Sequence, residues 1–252
     1  MINIPSDMII PWENEASVDT LIEEIFPNLS YNARNREYIA ERALLTPLND
    51  CVDELNDRVL RSFPGDEVTY YSFDSVQDDP RNLYQPEFLN SLSAGGLPPH
   101  KFVLKLDAPV MLLRNINPAK GLCNGTRLLC RGFDRNMIYA EFVTGHAAGN
   151  IEFIPRIPMK SANDLNLPFQ LLRKQFPIRL SFALTINKAQ GQTIKNVGIF
   201  LPQPVFSHGQ LYVALSRGIP RKTTKIMVKN GTVEGHPGVY TTNVVYKDVL
   251  HQ

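Results

Sequence analysis

Cysteine is scarce in this chain of 252 residues: Cys51, Cys123 and Cys130 are the whole set, with no C-x-x-C pair among them. An odd, dispersed trio builds no disulfide framework, and the five separated histidines offer no zinc-like spacing, so no metal site is expected. A reducing compartment is the matching expectation. Long apolar runs are also lacking. The longest are short stretches such as residues 108–113, far below the roughly 20 residues that span a bilayer, so no membrane partner is expected. The N-terminal stretch has no basic segment leading into an apolar core and carries Glu13, Glu15, Asp19, Glu23 and Glu24, which speaks against a secretory signal or an organelle transit peptide. The N-x-[ST] sequons at Asn28, Asn124 and Asn230 therefore count as chance matches. The most consequential absence is a phosphate loop. No G-x-x-x-x-G-K-[ST] occurs anywhere in the chain.

Charge is nearly balanced at +1 but unevenly spread. Residues 1–95 hold 18 acidic and 6 basic side chains, net −12, and residues 96–252 hold 7 acidic and 20 basic, net +13. The C-terminal part alone has the charge of a nucleic-acid binder, and mutual neutralisation of acidic and basic faces is the alternative. A content of 43% hydrophobic and 20% charged residues is that of an ordinary globular protein, long enough for one large domain or two smaller ones.

The periodicity is α/β with a different segment in the middle. Residues 17–26 read as a short amphipathic helix, 43–46 as a strand closed by Pro47, and 50–60 as a helix with Val52, Leu55, Val59 and Leu60 on one stripe. Residues 68–73 are rich in β-formers, and 77–100 read as a long connection. Five short strands are predicted at 101–106, 110–114, 126–131, 137–143 and 151–154, a small antiparallel barrel or sandwich inserted in the α/β part. Asn124-Gly125 predicts a two-residue turn with positive φ at both positions. Further strands are expected at 178–185, 197–201 and 225–229, the middle one buried on both faces of a parallel sheet. Ser207-x-x-Gln210 predicts a capping box, and Gly218 with Pro220 stops the helix that follows, placing Arg217 in its last turn.

Two segments carry the chemistry. The strand ending at Thr185 runs into Asn187, Lys188, Gln190, Gly191, Gln192 and Thr193, and ligands of open α/β sheets bind at the carboxyl ends of strands. Neutral amides, a hydroxyl and one cation suit a phosphate or sugar backbone better than acid-base chemistry, and they could grip single-stranded DNA without reading its sequence. A polar helix start with Thr185 as N-cap is the plainer alternative. Arg217, at the end of the segment Gln210 to Arg217, can fork onto phosphate oxygens and stabilise charge developing on a γ-phosphate. Its plainer role is to complement the helix dipole.

The block TINKAQGQT, Thr185 to Thr193, resembles motif V of the superfamily 1B DNA helicases, and QLYVALSR, ending in Arg217, resembles their motif VI. More narrowly, the chain is similar to the petite-integration-frequency (PIF) helicases, particularly the branch associated with Helitron transposons. RALLTPLNDCVDELN from Arg42 resembles the opening of the second RecA-like domain, APVMLLRNINPAKGLCNGTRLL from Ala108 the entry to an inserted SH3-like subdomain, and NVVYKDVL the family's usual terminus. Many members carry His where Asn187 stands. The first RecA-like domain, with its Walker A lysine, Walker B acidic pair and magnesium site, has no counterpart among these residues.

The resemblance implies an α/β fold: a RecA-like parallel-sheet domain, the second motor domain, with a small SH3-like β-barrel inserted. The implied division is a linker remnant and helix at 1–40, the RecA-like domain at 41–100 and 177–235, the SH3-like insertion at 101–176 and a tail at 236–252. It implies the C-terminal motor half of an ATP-dependent 5′ to 3′ DNA helicase, with ATP and Mg2+ as cofactors and single-stranded DNA and the first RecA-like domain as partners. The expected localisation is nuclear, with mitochondria as the family's other site. By the same resemblance, Arg217 is the catalytic arginine finger, Gly191 and Gln192 join it at the nucleotide, and Thr185, Asn187, Lys188 and Gln190 contact DNA. A truncated, inactive single-stranded DNA-binding module derived from a transposon is the alternative.

Overall fold

The computed structural model describes residues 1–77, 83–93, 96–161, 167–218 and 220–246. They form two compact units, residues 1–63 with 181–252, and residues 64–180. The sequence reading attaches 64–100 to the α/β part. In the structure these residues belong to the second unit, because their strands pair there.

The first unit opens with β1 (Ile2–Ile4), α1 (Ser17–Ile25), α2 (Leu29–Asn32), α3 (Arg36–Ala40), β2 (Arg42–Thr46) and α4 (Asn49–Ser62). Helix α1 buries Val18, Leu21, Ile22 and Ile25, the i, i+3, i+4, i+7 stripe of an amphipathic helix. Helix α4 buries Val52, Leu55, Val59 and Leu60 as its pattern requires, with Asn56 among them.

In the second unit follow β3 (Glu67–Tyr71), β4 (Phe73–Val76), α5 (Pro86–Ser91), β5 (Lys101–Lys105), β6 (Pro109–Leu112), β7 (Arg127–Phe133), β8 (Met137–Phe142), β9 (Ile151–Pro155), β10 (Ile157–Lys160), β11 (Leu171–Gln175) and β12 (Ile178–Leu180). Strands β6 to β9 join β12 in a five-stranded antiparallel sheet of order β12-β6-β7-β8-β9. The first of the five expected strands, β5, pairs instead with β3, and β4 lies at the edge of a sheet of order β10-β11-β4. The connection predicted over 77–100 contains helix α5, begun by Pro86 at its first position.

The Asn124-Gly125 turn differs from expectation. Only Gly125 has positive φ, +88°, and Thr126 N donates to Cys123 O over 3.0 Å, so the turn needs left-handed backbone at one position and glycine occupies it.

The chain returns to the first unit with β13 (Ala183–Thr185), β14 (Asn196–Leu201), α6 (Gln210–Leu215), β15 (Thr224–Val228) and β16 (Val239–Thr241). The strand expected over 178–185 is therefore two strands in two sheets: β12 lies antiparallel to β6, and β13 parallel to β2. Both halves are apolar, so no change of pattern marks the switch. The Phe182 carbonyl between them accepts from Leu44 N over 2.9 Å, while its ring lies 5.2 Å from Phe63 and 5.9 Å from Phe26.

The parallel sheet of order β13-β2-β14-β15 is the core of this unit. Central β14 is buried from Val197 to Leu201, as expected of a strand covered on both faces. A fully buried Leu or Ile here contributes about 1.5–3 kcal/mol. Helix α1 approaches β14 so closely that a Cβ on Gly198 would stand 2.7 Å from side-chain atoms of Ile25 and Leu44. No helix among the described residues is long and apolar enough to cross a membrane.

Candidate functional site

Strand β13 ends at Thr185, in register with Thr46 at the end of β2, so both threonines mark the carboxyl edge of the parallel sheet. The chain then makes a single 3-10 turn, Ile186–Ala189. Thr185 Oγ1 caps it by accepting from Lys188 N over 3.3 Å. Ile186 and Ala189 are buried, which anchors the turn and leaves Asn187, Lys188 and Gln190 in solvent. Capping and display thus coexist: the first serves the turn, and the second presents two amides and an ammonium at the sheet edge.

Gly191 has φ +80°, and nothing lies within 4 Å of where its Cβ would be. The sequence suggests glycine for close approach; the structure requires it for left-handed backbone. This twist redirects the chain so that Gln192 N donates to Ala189 O over 3.0 Å and Gln192 Nε2 to Lys188 O over 3.3 Å.

The turn's counterpart is α6, which packs against it. Its buried residues are Gln210, Leu211 and Ala214, with Leu215 only partly covered. The expected capping box is absent. Gly209, at φ +72°, occupies the N-cap, no side chain caps the helix, and Gln210 Oε1 accepts instead from Phe206 N over 3.1 Å. Gln210 Nε2 is a buried donor with no partner among the described residues.

Arg217 lies two residues beyond the last residue of α6, not within it. Its Nε donates to Val213 O over 3.1 Å, Nη1 to Gln192 O over 3.0 Å and Nη2 to Ser216 Oγ over 2.9 Å. The Val213 contact is the dipole-complementing role, a cation on a carbonyl of the last turn. The Gln192 contact is something more, a bond between the two segments. The backbones reinforce it: Ile194 N donates to Arg217 O over 3.3 Å, and Ile194 bridges Gly218 in parallel. Gly218 is held so tightly that a Cβ would meet Thr224 Oγ1 at 2.1 Å.

The sequence-predicted residues therefore converge. Thr185, Asn187, Lys188, Gln190, Gly191, Gln192 and Arg217 lie on one turn and one helix end in the same unit. One residue of this region escapes sequence reading. Asn56, 2% exposed on α4, accepts from Ala183 N over 2.9 Å and donates to Ala183 O over 3.2 Å, holding the start of β13 on its open edge. The signal was an amide on an apolar stripe.

The seven positions hold no carboxylate among them. Comparison with known proteins supplies a family. The family model described as DNA helicase Pif1, 2B domain, matches residues 87–133. The ATP-dependent DNA helicase PIF1 of Homo sapiens is 33% identical over 186 residues, 72% of this chain and 26% of that protein. Its Mus musculus counterpart is 31% identical over 201 residues, 79% of this chain and 28% of that protein. Among solved structures, Pif1 from Bacteroides in complex with ADP-AlF3 and ssDNA aligns with a TM-score of 0.60 at 20% identity, covering 94% of this chain and 49% of that one. Pif1 from Candida albicans aligns at 0.52 and 24% identity, covering 83% and 52%. These two likenesses concern the fold, which is RecA-like in its parallel-sheet unit. The chain spans less than a third of the length of these curated relatives, and within that span it belongs to the Pif1 family of DNA helicases.

Proposed function

We propose that this chain is the C-terminal motor half of an ATP-dependent 5′ to 3′ DNA helicase of the Helitron-associated branch, acting in the nucleus. In this reading the parallel-sheet unit is the second RecA-like domain, and the antiparallel unit carries the SH3-like insertion. The observation that carries the proposal is the Arg217 Nη1 to Gln192 O bond, which ties the arginine to the turn that displays Asn187, Lys188 and Gln190.

Lys188 and the amides of Asn187 and Gln190 hold the phosphate backbone of single-stranded DNA, with Thr185 fixing the turn beneath them. A guanidinium has five N–H groups, and Arg217 commits one from each nitrogen, leaving two for a γ-phosphate oxygen contributed across from a first RecA-like domain. An arginine so placed accelerates phosphoryl transfer by about 10³- to 10⁵-fold in well-studied enzymes. Because Arg217 also grips Gln192 O, a shift of the guanidinium toward phosphate pulls on the turn through Gly191 and Gln192, and so on the DNA contacts. ATP supplies the phosphoryl group when bound. Thr185, Asn187, Lys188, Gln190, Gln192 and Arg217 offer donors that fit phosphate oxygens and no carboxylate for Mg2+, whose ligands belong to the other half of the motor.

The test is DNA-stimulated ATP hydrolysis by the purified chain mixed with a separately purified first RecA-like domain of a Pif1 relative. The chain alone should show no turnover above background, and the mixture should show turnover that Arg217→Ala abolishes. Turnover by the chain alone, or an Arg217→Ala mixture as active as wild type, contradicts the proposal.

A further inference from the structure

The second unit carries a surface that the site above does not use. Tyr71 and Phe73 are large aromatic side chains left 55% and 65% exposed, and buried Ser72 lies between them. Alternation along an extended chain turns both rings outward. Each stands beside a cation in register: Tyr71 opposite Lys101 across β3 and β5, and Phe73 opposite Lys174 across β4 and β11. The next outward row continues the pattern with Lys160, paired to Leu172, which faces Ser75. Lys101, Lys160 and Lys174 are all exposed, and none has an ion-pair partner among the described residues. Arg156 lies beneath them. Its guanidinium is 4.6 Å from the ring centroid of buried Phe176, 5.2 Å from that of buried Tyr70 and 5.7 Å from that of Phe73, and it donates to Tyr71 O over 2.8 Å and to Gln175 Oε1 over 2.7 Å, bracing the backbone under both rings.

The carboxylates that β3 and β4 themselves carry, Glu67 and Asp74, are both engaged. Asp74, next to Phe73, points to the opposite face, where Arg173 holds it in a fully buried ion pair at 2.7 Å. The outward carboxylate of β3, Glu67, lies at the far end of that strand opposite Lys105. What remains outward on these strands, among the described residues, is two rings and three lysines.

An apolar partner would meet three unpaired ammonium groups, and an acidic peptide would leave the rings unused. Single-stranded nucleic acid satisfies both, because each nucleotide offers a flat base to stack and a phosphate to neutralise. We propose that Tyr71 and Phe73 form a base-stacking platform for single-stranded DNA, with Lys101, Lys160 and Lys174 on its phosphates and Arg156 bracing the strand ends beneath. It is a contact surface carried by the second unit, whereas the turn around Lys188 belongs to the first. The inference rests on the reading that this protein handles single-stranded DNA, and it adds a stacking component that the Thr185 to Gln192 turn, with no aromatic residue, lacks.

The experiment is a fluorescence-anisotropy titration of the full chain against a labelled oligothymidylate and against the same backbone with its bases removed. Phe73→Ala should weaken oligothymidylate binding by about fivefold or more while leaving binding of the abasic strand nearly unchanged. The double variant Lys160→Glu, Lys174→Glu should weaken both strands alike. Both changes lie on exposed positions, and an unchanged melting curve confirms the fold. Phe73→Ala binding oligothymidylate as wild type does, or losing equally on both strands, overturns the platform. If Lys188→Ala weakens binding while Phe73→Ala does not, this inference falls alone. If only Phe73→Ala weakens it, the platform stands and the role given to Lys188 falls.

Discussion

Arg217 and Gln192, 25 positions apart, are joined by a 3.0 Å hydrogen bond from the guanidinium to the main-chain carbonyl. The bond makes one mechanical piece of two segments that the sequence presents separately. Residues that would sense phosphate and residues that would hold DNA therefore cannot move independently.

Replacing Arg217 tests that coupling. Arg217→Ala removes three hydrogen bonds at a half-buried position and should cost about 1–2 kcal/mol, read as a lower melting temperature. Arg217→Lys keeps the charge but cannot fork to Val213, Gln192 and Ser216 together, so it should recover part of the stability and none of the ATPase of the reconstituted mixture. Full recovery of that ATPase by lysine would show that charge alone suffices.

Asn56 makes a sharper prediction about stability. Asn56→Ala leaves the buried N–H and C=O of Ala183 without their partner and should cost about 2–6 kcal/mol by chemical denaturation, at roughly one to three per stranded group. Asn56→Asp keeps the acceptor for Ala183 N but removes the donor to Ala183 O and buries a charge, so it should be at least as damaging. Because β13 leads directly into the turn, hydrogen exchange at residues 186–190 should rise in both variants.

Much of this was legible in sequence. The parallel strands 43–46, 197–201 and 225–229 and the helices at 17–26 and 50–60 follow from periodicity, because each has one way to bury its apolar residues. The switch of sheets inside 178–185 does not, since Ile178 and Leu184 are equally apolar in either sheet. Nor does the N-terminus of α6, where Gly209 in left-handed backbone displaces the Ser207 cap. At the site, the polar cluster after Thr185 is plain, but the bond that brings Arg217 to it depends on a tertiary approach. Arg173 is hidden for a similar reason: in Leu-Leu-Arg-Lys-Gln only alternation hints that the arginine faces inward with Leu171 and Gln175.

That buried arginine is testable. Arg173, 1% exposed, pairs with Asp74 and also donates to the carbonyls of Leu89, Leu92 and Pro98. Arg173→Met strands a buried carboxylate and should cost about 3–5 kcal/mol, whereas the double change with Asp74→Leu should recover part of that loss. A double variant no more stable than the single would show that the carbonyl contacts, not the ion pair, dominate.

Gly198 tests the packing beneath the site. Gly198→Ala places a methyl 2.7 Å from Ile25 and Leu44 side-chain atoms and should cost about 1–3 kcal/mol, measured as a shift in denaturation midpoint at constant slope. An unchanged midpoint would mean that α1 moves freely over β14.

The most direct measurement is the affinity of the purified chain for a labelled oligothymidylate as a function of salt, for wild type, Asn187→Ala and Lys188→Ala. Our account predicts binding at low salt that falls steeply as salt rises, weaker binding by both variants, and a log–log salt slope shallower by about 0.7 for Lys188→Ala. No binding at low salt, or a Lys188→Ala titration superimposable on wild type, would contradict it.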